Sequence, residues 1–153
     1  MEIIYQEITD VLLEKMIAHY ADADMEATIR GHVHFEAGSY SLAALHEDNP
    51  VGFISTYTKA WTVPLENNRD AYIDILEVDE DYRRKGIARE LIGRTEAWAR
   101  DNGFAQIRSW SSDDKLEAIP MWQSLNYCMC PAKIWVEWCK EVVDGYYVAK
   151  KLD

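Results

Sequence analysis

Two carboxylates, Asp74 and Glu77, stand a few residues ahead of the run Arg83-Arg84-Lys85-Gly86-Ile87-Ala88. A carboxylate in a partly desolvated site can act as a general base, accepting directly or through water a proton that a reacting group must lose. The basic run suits different chemistry. A strand-like stretch ends at Val78, an acidic turn follows, and the basic residues open a long amphipathic helix. Unpaired N–H groups of a first helical turn point out of the helix end, where the helix dipole adds partial positive charge. Gly86 lets a ligand approach the backbone closely, because no Cβ stands in the way. Three consecutive cations add long-range attraction. The run predicts an anionic, phosphate-bearing ligand, although a basic turn before a surface helix also serves as plain solvated surface.

Alternating strands and helices must position these groups. Glu2–Glu7 reads as a strand, and Thr9 or Asp10 can cap a helix over Val11–Tyr20. Ala21–Asp24 breaks it, and Met25–Phe35 reads as a second short helix. Ser39–Leu45 and Val51–Ala60 are strands across the turn His46–Pro50, Pro64–Arg69 is a polar loop, and Tyr72–Val78 is the strand bearing the carboxylates. Strand alternation puts Asp74 with Tyr72, Leu76 and Val78, and Glu77 on the opposite face, unless a bulge intervenes. In the helix after Gly86, Ile87, Leu91, Ile92, Trp98 and Ala99 share one face, and Glu90–Arg94 and Glu96–Arg100 are supporting i,i+4 pairs. Asn102-Gly103 stops it, with Phe104 placed for the apolar contact of a glycine cap. Gln106–Trp110 is the next strand. In the tail, Ile134, Trp135, Trp138 and Val142 fit a helical stripe, but Asp144-Gly145 carries a hairpin signal, and the favoured expectation is a closing hairpin with Tyr146–Leu152 as last strand. The pattern is that of an α/β fold, an α+β sandwich, in one domain over residues 1–153.

Arg83-x-x-Gly86-x-Ala88, with its lead-in Val78-Asp79-Glu80-Asp81-Tyr82, resembles the signature of the GCN5-related N-acetyltransferases (GNAT). The likeness extends in register: Pro50–Ile54 resembles that family's preceding strand, and Ala118–Tyr127 its second cofactor helix. The resemblance implies a mixed central sheet flanked by helices on both faces. It implies acetyl-coenzyme A as co-substrate, with Leu76, Val78, Arg83, Arg84, Lys85, Gly86, Ile87, Ala88, Lys115 and Trp122 as contacts. The backbone of the 83–88 turn would grip the pyrophosphate, and the N–H of Val78 or Glu77 would face the carbonyl oxygen as it turns negative. Asp74 and Glu77 stand where the family often places its proton acceptor; either could fill that role, or serve as a solvated charge or a core ion pair. Trp122 departs from the pattern. It occupies the position of a tyrosine that protonates the departing thiolate, and an indole N–H can only donate a hydrogen bond. Tyr127, Tyr146 and Tyr147 are alternative hydroxyls. Pro120 raises a further question of whether that helix starts at the capping box Asp114-x-x-Glu117 or nearer Ile119.

Charge narrows the partners. Residues 1–81 carry a net charge of −13 and residues 82–153 a net of +2, giving −11 for the chain. Nucleic acid, which needs a concentrated basic face, is not expected. In the resembling family the N-terminal elements wall the acceptor pocket, so an acidic half favours a small cationic amine, although an acidic surface also serves solubility alone. Trp61 borders the expected acceptor site, where its ring could stack on a cation. The 153 residues hold no apolar run of about 18, so no membrane span is expected. The N-terminus lacks a signal pattern, and Cys128, Cys130 and Cys139 suit reduced thiols, which predicts a cytoplasmic protein. Neither the Cys-x-Cys pair nor His32-Val33-His34 has a complete ligand set, so no metal is expected. The resemblance also admits a homodimer.

Overall fold

In the computed structural model, residues 1–60, 68–137 and 139–152 are described. Trp61 and most of the expected 64–69 loop lie outside them. Two compact units can be described, one of residues 1–58 with 73–98 and the other of residues 59–72 with 99–153.

The first unit begins with strand β1 (Ile4–Glu7), antiparallel to β2 (Tyr40–His46), which pairs antiparallel with β3 (Asn49–Ala60). Strand β4 (Arg69–Val78) follows β3 in the order. The β2–β3 loop is only Glu47-Asp48, both in the left-handed region (φ 50° and 64°), so Pro50 belongs to β3 and not to the turn. Helix α1 (Asp10–Tyr20) starts because Thr9 Oγ1 accepts the Leu12 N–H at 3.3 Å. Helix α2 (Ala23–His32) starts on Asp22, which accepts the Met25 N–H at 2.8 Å. Two exposed ion pairs, Arg30 to Glu14 and Arg30 to Glu26, strap α2 to α1 and within itself. Leu12, Leu13, Met16 and Ile29 bury their side chains with Ala43, Leu45 and Phe53, and Ile75 of β4 packs on that cluster. At about 25 cal/mol per Å² of apolar surface, this cluster holds the helices to the strands far more strongly than the exposed ion pairs do.

Helix α2 stops three residues short of the expected Phe35. Val33 is extended (φ −89°, ψ 122°), and the chain after it runs beside β3: the His34 N–H donates to Ser55 Oγ at 2.9 Å. Helix α3 (Ile87–Asp101) buries Ile87, Leu91, Ile92, Thr95 and Ala99, while Trp98 stacks flat on Tyr40, the rings 5.2 Å apart. The Glu90–Arg94 pair forms at 2.8 Å.

In the second unit, Gly103 (φ 75°) ends α3 and the Phe104 N–H donates to the Ala99 carbonyl, as the Asn-Gly-Phe sequence predicts. Strands β5 (Gln106–Ser112), β6 (Cys128–Val136) and β7 (Glu141–Lys151) form antiparallel ladders in the order β5-β7-β6. The tail expectation needs correction. The β6–β7 hairpin closes on the pair Val136 and Glu141, and Gly145 lies inside β7, opposite Ser112 on one side and Ala132 on the other. A Cβ on Gly145 would collide with the Ser111 carbonyl and the Trp110 ring, so this glycine serves close strand packing. Asp70, fully buried, lies 2.5 Å from Arg108 Nε and accepts from Gln106 at 2.6 Å. No described helix is long and apolar enough to cross a membrane.

Candidate active site

The turn after β4 is braced by its own residues and by groups from β3, β2 and α1. The Asp79 N–H donates to the Val51 carbonyl at 3.0 Å, tying the end of β4 to β3. Gly52 permits this approach, because a Cβ there would stand 2.9 Å from the Glu77 carbonyl oxygen and 3.2 Å from a Val78 methyl. Glu80–Tyr82 form one turn of 3₁₀ helix, closed by the Tyr82 N–H to Asp79 and the Arg83 N–H to Glu80. Tyr20 at the end of α1 donates its hydroxyl to Asp79 Oδ1 at 3.0 Å. Burial, then the Asp79 and Glu77 carboxylates, push the Tyr20 phenol well above its usual pKa, so it stays a donor at any ordinary pH.

The basic residues then divide their work. Arg83 turns back and donates from Nε to the Val78 carbonyl at 3.0 Å. Lys85 lies over the Tyr82 ring, Nζ 4.9 Å from its centre, and Tyr82 is itself held by His46 Nδ1 at 3.0 Å. Arg84 is exposed with a φ of 58° and makes no hydrogen bond or ion pair among the described residues. Gly86 has a φ of 86°, a conformation that strains any residue bearing a Cβ, yet nothing lies within 4 Å of where that Cβ would stand. The first bond of α3 runs from the Glu90 N–H to the Gly86 carbonyl, so the amides of Ile87 and Ala88 precede the helical ladder. The Ile87 side chain is buried, which leaves its backbone as the part that can meet a ligand. The turn thus offers two left-handed residues, helix-end amides and one unengaged guanidinium, a set able to hold a phosphate.

The β4 carboxylates part company. Leu76, Glu77 and Val78 are half-buried, and Glu77 lies close enough to Tyr20 to act on its phenol. Asp74 Oδ2 is hydrogen-bonded to His32 Nδ1 at 3.1 Å and to His34 Nε2 at 2.7 Å, the direction of each bond depending on the ring's tautomer. His34 Nδ1 is 3.0 Å from Glu36 Oε1, its ring packs on Tyr57 at 4.6 Å, and Ser41 Oγ donates to its carbonyl at 2.9 Å. Ile75 packs on the α1–α2 cluster, and its neighbour Asp74 meets His32 at the end of α2. The two histidines are the residues that sequence reasoning passed over. His-x-His was the signal, read only as an incomplete metal site.

Lys115 and Trp122 belong to the second unit. Lys115 is exposed at a kink (φ −98°, ψ 37°), and its carbonyl accepts the Tyr146 hydroxyl at 2.9 Å, which engages one of the alternative hydroxyls. Helix α4 (Ile119–Ser124) starts at Ile119 with Pro120 in its first turn, where a missing N–H costs nothing. Trp122 is buried and meets Tyr127 edge to face at 4.8 Å, the arrangement of a packing residue.

The family model for the acetyltransferase (GNAT) family matches residues 5–127. Among solved structures, the chain is similar to the ribosomal-protein-S18-alanine N-acetyltransferase from Escherichia coli, with TM-score 0.73 and 15% identity over 99% of this chain and 95% of that one. It is similar to Arabidopsis thaliana NAA60 in complex with acetyl-CoA, with TM-score 0.71 and 15% identity over 99% of each chain. It is also similar to an aminoglycoside 6'-N-acetyltransferase complexed with coenzyme A, with TM-score 0.70 and 14% identity over 98% of this chain and 97% of that one. At such identities the likeness establishes the α/β fold, a mixed sheet with helices, that the sequence predicted. No curated protein matches the chain. With four-fifths of its length matched in register, from β1 to the end of α4, the chain belongs to the acetyltransferase (GNAT) family.

Proposed function

We propose that the chain transfers an acetyl group from acetyl-coenzyme A directly to a primary amine on a small cationic acceptor. The observation that carries this reading is the join of β4 to α3: half-buried carboxylates on the strand, and an anion-accepting turn at its end. The turn's left-handed residues, the amides of Ile87 and Ala88 and the Arg84 guanidinium bind the pyrophosphate, with Arg83 and Lys85 bracing them. The chain's half-buried acids, Asp74 and Glu77, draw in an ammonium group and one of them takes its proton. The neutral nitrogen attacks the thioester carbonyl carbon. An N–C bond forms, the C–S bond breaks, and coenzyme A leaves as a thiolate that is then protonated. Backbone N–H at Glu77 or Val78 stabilises the oxyanion between these steps.

The acidic N-terminal half supports a cationic acceptor, because it raises the local concentration of such an amine. One observation favours a second reading, a non-catalytic acyl-coenzyme A sensor: Trp122 is buried where a thiolate-protonating tyrosine would otherwise stand. The test is a thiol-release assay with acetyl-coenzyme A over polyamines, aminoglycosides, amino acids and basic peptides, beside calorimetric titration with coenzyme A. Turnover on one amine class is the expected result and names the acceptor. Coenzyme A binding without turnover on any amine supports the sensor, and no binding overturns both.

A further inference from the structure

Two carboxylates flank the His34 ring. Nε2 is 2.7 Å from Asp74 Oδ2 and Nδ1 is 3.0 Å from Glu36 Oε1. Ionised carboxylates only accept, so two such contacts need two bridging protons, and a neutral imidazole supplies one. The second contact is complete only when the cluster has gained a proton. The row Glu36–His34–Asp74 is therefore a continuous hydrogen-bonded line that passes through both nitrogens of one ring. It also has a direction: Asp74 and His34 are about one-fifth exposed, whereas Glu36 is 56% exposed. Asp74 Oδ1 makes no hydrogen bond to any described residue.

His34 is held more firmly than a loop side chain needs to be. Its N–H donates to Ser55 Oγ, its carbonyl accepts from Ser41 Oγ, those two buried hydroxyls bond each other at 2.7 Å, and Tyr57 covers its ring. The groups facing it are Asp74 from β4, Glu36 from its own segment, Tyr57 from β3, and His32 at the end of α2, which clamps the same Asp74 oxygen. A ring fixed this way keeps both nitrogens in line with their carboxylates, as proton transfer requires.

We propose that Asp74, His34 and Glu36 form a proton path that takes the proton of the acceptor's ammonium group out to solvent, with His34 as its middle member. The inference rests on the N-acetyltransferase reading. The ammonium gives a proton to Asp74 Oδ1, leaving the nitrogen lone pair free. The carboxyl turns so that this proton faces His34, whose Nδ1-protonated tautomer takes it at the bare Nε2 while releasing the Nδ1 proton to Glu36, and Glu36 gives it to water. His34 is left as the other tautomer, and exchange of its ring protons with water restores it before the next turnover. His34 does not touch the acceptor; it is a positioning and relay residue acting through Asp74.

The test compares His34→Gln, His34→Ala and Glu36→Gln with the wild type, using acetyl-coenzyme A and the best amine of the panel. A glutamine amide can still donate to Asp74 but cannot relay. His34→Gln should therefore cost about 10- to 100-fold in kcat with little change in KM, within the range of proton-transfer catalysis. Free imidazole should restore much of the loss in His34→Ala, and Glu36→Gln should cost severalfold. Wild-type rates in His34→Gln would overturn the relay, as would a loss in His34→Ala that imidazole does not rescue. If the wild type turns over no amine, the N-acetyltransferase reading fails by itself, and nitrogen NMR of the His34 ring still decides the path. Coupled uptake of one proton, altered by Glu36→Gln, supports it; a titration indifferent to Glu36→Gln overturns it.

Discussion

The turn at 83–88 and the corner around Asp74 adjoin the same strand, β4, and are made of different material. The turn is a backbone device. Its ligand-facing groups are amides and two left-handed residues, and two of its three cations are spent bracing it. The corner is a side-chain device, in which α2, the segment after it, β3 and β4 each contribute one or two groups to a hydrogen-bonded row. The difference predicts opposite sensitivities. A backbone site tolerates exchange of side chains and fails when a φ angle becomes costly, whereas a side-chain site survives backbone strain and fails when one atom changes from acceptor to donor.

The sharpest way to break this comparison is Asp74→Asn. The shape is kept, but the new amide cannot take a proton and meets two imidazoles that want an acceptor. We expect kcat to fall about 10²- to 10⁴-fold. Coenzyme A affinity by calorimetry should stay within a factor of about two, since no part of the turn depends on Asp74. A large loss of coenzyme A affinity would mean that the two regions are one site energetically. The reciprocal change is Gly86→Ala. Its Cβ would meet nothing within 4 Å, so the whole cost is the φ of 86°. That strain is worth about 1–2 kcal/mol, and it should appear as roughly tenfold weaker coenzyme A binding as the turn relaxes. Unchanged affinity would remove the backbone from the argument and leave Arg84 as the anion's main partner.

The same contrast explains what could be read before the structure was known. The turn is contiguous, so Val78 to Ala88 display strand end, acidic lead-in, cations and glycine in one short string. The corner joins His34 and His32 to an aspartate 40 and 42 positions away, a separation that no local pattern carries. The early end of α2 hid it further. A helix running to Phe35 would have turned His32 and His34 to different sides, because i and i+2 do not share a face. At Gly145 the failure ran the other way: a strong local turn signal was overruled by close packing against Ser111 and Trp110. That Trp122 cannot protonate a thiolate was legible, by contrast, since an indole N–H is far too weak an acid.

Tyr20→Phe probes a side chain that links α1 to the turn, and its effect should be smaller. Losing the hydroxyl leaves Asp79 Oδ1 without that donor and should cost about 1 kcal/mol, a fall of about 2–4 °C in Tm for a chain of this size. The pH dependence has a definite sign. The phenol's pKa is raised in the folded state, so its contribution is complete below the ordinary tyrosine value of 10.0 and declines as pH climbs above it, when only the unfolded chain readily loses the proton. Tyr5 and Tyr40 are raised in the same direction, so some alkaline loss persists in the variant, but with a gentler slope. An identical alkaline slope in the two proteins would show that Tyr20 is not protected.

Asp48→Gly is the control that isolates left-handed backbone from ligand binding, and its effect should be the smallest. Glu47 and Asp48 form a two-residue hairpin loop with both φ angles positive, at 50° and 64°, a geometry that favours glycine in the second place. Glycine there should stabilise the fold by about 0.4–1 kcal/mol, read as a higher urea midpoint at an unchanged slope. Coenzyme A affinity should not move, because the loop joins β2 to β3 and adds no group to the 83–88 turn. Set beside Gly86→Ala, the pair asks whether relieving or imposing a positive-φ strain matters to the ligand only where the backbone itself is the binding surface. If Asp48→Gly tightened coenzyme A binding as much as Gly86→Ala weakened it, the turn would be responding to general stability. Its own amides would then have no special claim on the phosphate.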